Sequence, residues 1–444
     1  MMDVWSGAAR VRGMLAFEAA LARAEARAGV IPTAAAEAIA AACGRDDFDV
    51  TAIFHEAAES GTPVIPLVRQ LTARVAGEGR DYVHWGATSQ DALDTALALA
   101  MGQAFDLLAR DLMDVGESCA RLADRHRRTV MVGRTLLQPA VPITFGLKAA
   151  RWLALVTRQM RRLREVGERV AVVQLGGAAG TLAALGVAGQ AVTAGLAEEL
   201  GLGVPDLPWH AERDRVAEAA AVLGVLAGGM AKIATDLVLL AQGEVGEATD
   251  GTPGKGASSA MPQKRNPVDA TLALAAARLA IGVVPVVLGA MAQEHERAAG
   301  AWQAEWEAVP AVFRHTAGAV AHVRASLRNL DVDAARMRAN LDATNGAIMA
   351  ETLALALSAR IGSPEARAIV RELASSARAR GTNLHEAARN DERVRAALSA
   401  DAVDRAFDPT MYLGSNDWYI DRALADYRAL HEDEAPSAEE MPNA

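Results

Sequence analysis

The stretch 256–267 reads GASSAMPQKRNP, and it holds the densest set of groups that could do chemistry. A glycine-rich segment, 246–257 (GEATDGTPGKGA), leads into it and leaves the backbone free to move. Two hydroxyls follow, Ser258 and Ser259, then the ammonium of Lys264, then Asn266 and Pro267. Asparagine is favoured as an N-cap and proline at the first helical position, so Asn266–Pro267 is expected to open a helix. A helix start offers unpaired N–H groups and a partial positive charge. Lys264 adds a full charge. Together these make an anion site beside a serine hydroxyl on a mobile loop. The plainer reading, a capped helix after a surface loop, is what Asn-Pro alone would favour.

Other polar groups occur in short, dense blocks. Residues 84–91 read HWGATSQD, and there His84 has a structural alternative and Thr88–Ser89 could simply cap a helix. Residues 134–138 read RTLLQ, where Arg134 could equally form a surface ion pair. His210 and His295 either bind a ligand or sit in ordinary polar contacts. The nine histidines include no HExxH and no ligand-spaced cluster, so no metal and no cofactor are expected.

Helices must position these groups. Leu223, Leu226, Met230, Ile233, Leu237 and Leu240 recur at alternating spacings of three and four, as do Ala149, Leu153, Val156, Met160 and Leu163. Residues 268–292 are apolar nearly all round, with Pro285 as a kink, which places them inside a large bundle or at an oligomer interface. Alternating strand patterns are scarce. The expected fold is all-α with three helical domains: 1–103, a central long-helix bundle over 104–335, and 336–444. The last has turn-rich breaks near Gly381–Asn383 and Asp408–Pro409, and an acidic, proline-containing end (about 432–444) expected to be disordered. The glycine-rich pieces 174–181 (QLGGAAGT) and 246–257 do not follow strands, which excludes a dinucleotide or phosphate-loop fingerprint.

Composition narrows the function classes. Of 444 residues, 51% are hydrophobic but only 4% aromatic; alanine and leucine carry the apolar content and favour helix. The formal charge of −10 and the lack of a basic stripe argue against nucleic acid and anionic membranes as partners. No uncharged run reaches the ~18–20 residues of a membrane span. Residues 1–10 carry acid and base without an apolar core, so no secretion signal is expected. Cys43 and Cys119 lack metal or disulfide spacing, which fits a reducing cytoplasm.

The full 256–267 string closely resembles the signature of the fumarase/aspartase superfamily, GSSxMPxKxNP, with Ala257 as the one departure. The resemblance implies that Ser258 is the catalytic acid/base and that Lys264 and Asn266 stabilise an enediolate intermediate. HWGATSQD resembles the superfamily's first conserved region, which implies substrate contacts for His84, Thr88 and Ser89. RTLLQ with PITFG resembles the second, often RTHxQ, and implies contacts for Arg134, Thr135 and Gln138. Within the superfamily, MLAFEAALARAEARAGVIP, VVQLGGAAGTLAALG, PWHAERDRVAE and QEHERAAGAWQAEW are similar to the 3-carboxymuconate cycloisomerases. There relatives often carry glutamine at the position of Glu212, a carboxylate that needs protonation or a partner such as Arg213 or Arg215.

Leu136 stands where many members carry a histidine that protonates the leaving group. Amine leaving groups benefit from such a donor, whereas a carboxylate, with a pKa near ~4, does not. The implied reaction is therefore a cycloisomerisation: a carboxylate of 3-carboxy-cis,cis-muconate adds across the conjugated double bond and closes a lactone, within aromatic catabolism. A polycarboxylate needs further cations, with His210, Arg297 and Arg265 as candidates, each alternatively a structural partner. The resemblance also implies a homotetramer whose active sites are shared between subunits. The alternatives are a lyase for another anionic substrate, of nitrosuccinate or adenylosuccinate type, and a non-catalytic structural protein.

Overall fold

In the computed structural model, residues 1–252 and 254–432 are described; of the end expected to be disordered, 432–444, all but Glu432 lies outside them. The chain is mostly helical. Helices α1 (Gly7–Arg27), α2 (Thr33–Cys43), α3 (Val50–Ser60) and α4 (Val64–Arg74) come first. Then follow α5 (Ser89–Arg125), α6 (Phe145–Val170), the shorter α7 (Gly189–Leu200), α8 (Asp214–Leu240), α9 (Val268–Gly289) and α10 (Ala301–Arg328). Shorter helices, α11 (Ala334–Asp342) to α17 (Asn416–Glu432), complete the chain. The two periodic stripes are buried along their length, from Ala149 to Leu163 on α6 and from Leu223 to Leu240 on α8.

Two short antiparallel pairs qualify the all-α expectation: β1 (Val130–Thr135) with β2 (Gln138–Thr144), and β3 (Ala248–Asp250) with β4 (Leu330–Val332). The β1–β2 segments are rich in β-branched residues, Val130, Val132, Thr135, Val141, Ile143 and Thr144, which favour strand. An irregularity at Gly133 interrupts their register, where an added Cβ would lie 2.6 Å from the Val141 carbonyl.

Contacts divide the chain into two compact units, each built from three separate segments. One comprises 1–111, 159–231 and 274–321; the other comprises 112–158, 232–273 and 322–444. In the first, α1 packs on α2 and α7 through Met14, Phe17, Leu21, Ile39, Val192 and Leu196. In the second, Leu353, Leu357, Ile369, Leu373 and Leu384 form one core cluster. There too Gly116 lets the Tyr427 ring close on α5: an added Cβ would sit 2.5 Å from it.

The first unit buries an ionic knot. Arg213 donates to Asp94 (2.6 and 3.1 Å) on α5 and to Glu305 (2.6 to 3.2 Å) on α10, and Trp302 Nε1 donates to Asp94 (3.1 Å). Burial works against the charge of Arg213, but Asp94 and Glu305 outweigh it and hold the guanidinium above its ordinary range. Burial lifts the Glu305 carboxyl above its usual value despite Arg213. Glu25, on α1, is buried with no partner for either oxygen among the described residues; burial, with Glu18 nearby, pushes its pKa to about 9.

Helix α9 departs from all-round burial. Leu272, Leu279 and Val286 are exposed at intervals of seven, as are Ile281 and Leu288. By length and mean hydropathy alone, α5, α8 and α9 reach the range of membrane-crossing helices, and the α9 window is only 28% buried. The count of uncharged runs missed this because single charges such as Arg278 interrupt them.

Two stability predictions follow from these buried charges. Arg213→Met leaves two carboxylates uncompensated and should cost about 3–5 kcal/mol, read by denaturant titration at pH 7. Glu25 has a folded pKa above its unfolded one, so its favourable contribution is complete below pH ~4.5 and lost as pH rises toward 9. Glu25→Gln should therefore gain on wild type with rising pH in that window, by up to about 1.4 kcal/mol per pH unit. A difference independent of pH would mean that Glu25 is ionised in the folded protein.

Candidate active site

The serine-bearing loop belongs to the second unit. Gly256, at φ 75°, accepts from both the backbone N–H (2.8 Å) and the side-chain amide (3.1 Å) of Asn266. A Cβ on Gly256 would lie 2.2 Å from the Asn266 carbonyl, so only glycine closes the loop this way. An Ala257–Arg265 bridge adds to the closure. Within it, Ser258 Oγ accepts from the backbone N–H groups of Met261 (3.2 Å) and Ala260 (3.4 Å). Two such donors favour negative charge on that oxygen. The ammonium of Lys264 is exposed, and among the described residues it has no carboxylate partner; the same holds for Arg265.

The start of α9 differs from expectation. The helix begins at Val268, and its first backbone bond runs from Thr271 to the Pro267 carbonyl. Asn266 therefore lies before the cap, and one of its two amide N–H groups is engaged by Gly256. Nor is the helix start a free cationic end. Asp269 in its first turn pairs with Lys255 and with His322 (3.0 Å). Burial would raise the Asp269 carboxyl, but those two partners hold it below the usual range.

The RTLLQ segment, in the same unit, is a hairpin. Thr135 pairs with Gln138 across a loop of Leu136 (φ 49°) and Leu137 (φ 64°). That is the left-handed geometry a two-residue hairpin turn demands. Leu136 and Leu137 are 96% and 74% exposed, and Thr135 and Gln138 are exposed beside them. Arg134 forms a bidentate pair with Glu247 (2.7 and 2.9 Å), which is fully buried and also accepts from Asn340 (2.8 Å). That matches the ion-pair reading of Arg134, with an inward rather than a surface partner. Glu247 and Asn340 were not singled out from sequence; Arg134 gave the only signal, as a cation needing an acid.

The first unit holds the other candidates. His84 takes a left-handed backbone (φ 60°), and its Nδ1 lies 2.5 Å from Glu18 Oε1 on α1. Burial would lower its pKa, but the charge and hydrogen bond of Glu18, with the charge of Asp91, raise it. Thr88 and Ser89 lead into α5. Asp91 Oδ2 accepts from the Thr88 N–H (3.0 Å), and no described partner engages either hydroxyl, so they do not act as side-chain caps.

His210 is buried, with Nε2 2.7 Å from Asp91 Oδ1, and its carbonyl accepts from Gln90. Asp91 also accepts from the N–H groups of Gly176 and Gly177, which ties in the 174–181 glycine loop. His210 thus occupies the polar-contact reading. Among the described residues, the Arg297 guanidinium donates only to neutral acceptors, Gln90 Oε1 (3.1 Å) and the Ala178 carbonyl (3.1 Å), and it pairs with no carboxylate. His295 lies exposed at φ 47°, with no described hydrogen bond or ion pair beyond the charge of its neighbour Glu294. Of the two arginines named as possible partners of Glu212, Arg213 pairs with Asp94 and Glu305 and Arg215 with Asp206 (2.9 Å), and neither pairs with Glu212 among the described residues.

The comparisons with known proteins bear on the chain as a whole. A family model described as "Lyase" matches residues 1–282, and one described as "Adenylosuccinate lyase C-terminus" matches 346–423. The 3-carboxy-cis,cis-muconate cycloisomerase of Pseudomonas aeruginosa is 46% identical, over 97% of this chain and 95% of its own. The nitrosuccinate lyase of Streptomyces davaonensis is 43% identical, over 94% and 91%. The crystal structure of the 3-carboxy-cis,cis-muconate lactonizing enzyme from Pseudomonas putida superimposes with a TM-score of 0.92 at 41% identity, covering 97% of both chains. A match over more than half its length, together with relatives of this identity and coverage, means that the chain belongs to the lyase family.

Proposed function

We propose that the chain is a cycloisomerase that converts 3-carboxy-cis,cis-muconate to 4-carboxymuconolactone. The observation that carries this is the 256–267 loop: a serine oxygen receiving two backbone N–H groups, on the same loop as a lysine with no carboxylate partner among the described residues. A carboxylate oxygen of the substrate attacks the distal carbon of the conjugated double bond. The displaced electron pair moves onto the conjugated carboxylate as an enediolate. Lys264 and the second amide N–H of Asn266 stabilise that charge. Ser258 gives its proton to the α-carbon of the enediolate, which restores the carboxylate, and regains one from solvent, so the lactone carries one proton more than the substrate trianion. The glycine-rich 246–257 segment serves as the lid. His84, Thr88, Ser89, Thr135, Gln138 and Arg297 hold the remaining carboxylates; Arg134 and His210 support their segments. Leu136 leaves the site without a proton donor at the hairpin tip, as a carboxylate leaving group allows.

The homotetramer is part of the proposal. Exposed leucine and valine at seven-residue intervals on α9 form a stripe suited to helix-on-helix packing between copies. Arg278, exposed in the middle of that helix, disfavours lipid as the cover. In that assembly residues 104–335 supply the shared bundle, 1–103 and 336–444 flank it, and each site takes segments from three subunits. Free, buried Cys43 and Cys119 fit a cytoplasmic setting.

A second reading, a nitrosuccinate-type lyase, draws on the Streptomyces relative and on Leu136, because nitrite also leaves without a proton.

An ultraviolet assay separates these readings. Wild type should consume the diene of 3-carboxy-cis,cis-muconate, and Ser258→Ala should lose about 10²–10⁴-fold in kcat. Equal turnover by both would remove Ser258 from the mechanism. Nitrite release from nitrosuccinate, with no loss of the diene, would favour the second reading. Light scattering should find a tetramer, and Leu279→Arg should yield smaller species; a monomeric wild type would sink the shared-site assembly.

A further inference from the structure

Glu18 is a carboxylate 1% exposed in the middle of α1, among Met14, Phe17 and Leu21. An unpaired charge there would be costly. It has one described hydrogen bond, from Oε1 to His84 Nδ1 at 2.5 Å, and Oε2 has none. His84 is itself held in a left-handed backbone in the turn that leads into α5, and its ring is only 16% exposed. The other titratable groups around the pair are known. Asp91 faces His84 and is already engaged by His210, Gly176, Gly177 and Thr88. Glu25 and Cys43 face Glu18; burial first, then Glu18, pushes them to about 9 and about 12, so both are uncharged at neutral pH. No cation besides His84 pairs with Glu18 among the described residues.

We propose that Glu18 is a positioning residue for substrate binding: by fixing Nδ1 of His84, it presents the ring's Nε2–H as a charged donor to a carboxylate of the substrate. The inference rests on the proposed substrate contact of His84 and adds what makes that contact possible. A carboxylate on one ring nitrogen dictates which proton the other presents. It also replaces solvent as the counter-charge, because burial alone would discharge the imidazole. An imidazolium recognises anions only below its pKa, so the binding cation is lost as pH rises through that value. Glu18 moves this limit upward and holds the ring still, which lowers the ordering cost of binding. The strained turn at His84 fits this role, because a residue held off its preferred backbone needs an anchor.

Two measurements on full-length wild type and Glu18→Gln test the proposal. The first is a histidine-ring NMR titration, with the His84 signal assigned by its loss in His84→Gln. In wild type the ring should titrate above 6.5, and in Glu18→Gln at least about one pH unit lower. A ring at or below 6.5 in wild type, or identical titrations in both proteins, would overturn the proposal. The second is KM against pH with 3-carboxy-cis,cis-muconate. The variant should show an approximately tenfold higher KM near neutrality, with the rise in KM starting about one pH unit earlier and kcat changing much less. An unchanged KM profile would overturn it, and so would a loss confined to kcat. Should wild type not act on that substrate, the reaction reading fails while the ring titration still decides the role of Glu18. Should Glu18→Gln not fold, the wild-type titration alone decides it.

Discussion

Asp91 and Asp94 lie three residues apart on the first turns of α5, and much of the buried polarity of their unit is organised around them. Asp91 gathers His210 and two glycine amides of the 174–181 loop. Asp94 gathers Arg213, Trp302 and Gln90. Residues three apart share a helix face, so one surface of α5 meets the glycine loop, the segment before α8, and α10. An ionised carboxylate that is buried is costly once its donors are removed, which couples the members of this arrangement. The glycine loop needs no strand to hold its shape, because Asp91 supplies the acceptor that a neighbouring backbone would otherwise provide. His84, Thr88 and Ser89 immediately precede this anchor in the chain, so the stiffness of α5 passes directly to the candidate binding groups.

Much of this was legible in the sequence, but unevenly. The apolar stripes of α6 and α8 are periodic, and burial followed periodicity. The 256–267 string marked a glycine-dependent loop, but Asn266, expected as the cap of α9, instead holds the Gly256 carbonyl. The ionic partners were not legible. Arg213 stands next to Glu212, yet its partners are 119 and 92 residues away, because successive side chains on an irregular segment point in different directions. Glu18 reads in the sequence as one of two acids in an arginine-rich helix, and only its burial against His84 sets it apart. The β1–β2 hairpin was hidden for another reason. Its apolar content spreads over a bulged strand pair, so the period of two is broken at Gly133.

Non-glycine residues in left-handed backbone gather in the candidate segments. His84, Leu136, Leu137 and His295 all adopt it, at about 1–2 kcal/mol each. Strain of this kind persists only where the surroundings enforce it. For His84 the surroundings are Glu18 and the anchored start of α5. For Leu136 and Leu137 they are the β1–β2 ladder and the Arg134–Glu247 pair at its end. Because that pair secures the hairpin from within, the tip can expose two leucines without coming apart, and Thr135 and Gln138 are displayed on either side.

The arginines and lysines of these segments divide into two kinds. Arg134 and Arg213 are each saturated by buried carboxylates, and recruiting either to a ligand would strand an acid inside the protein. Lys264, Arg265 and Arg297 face no acid among the described residues and can meet an anion without breaking an ion pair. A chain of formal charge −10 can therefore still bind a polycarboxylate, since attraction at a site depends on local uncompensated charge and not on the total. The same division bears on catalysis. Charge that develops on a substrate is stabilised most by donors that need not abandon another partner to reach it. Ser258 stands on the loop that carries two of these three cations, so the proposed proton transfer at its oxygen and the proposed charge build-up on the substrate fall within one short, glycine-closed segment.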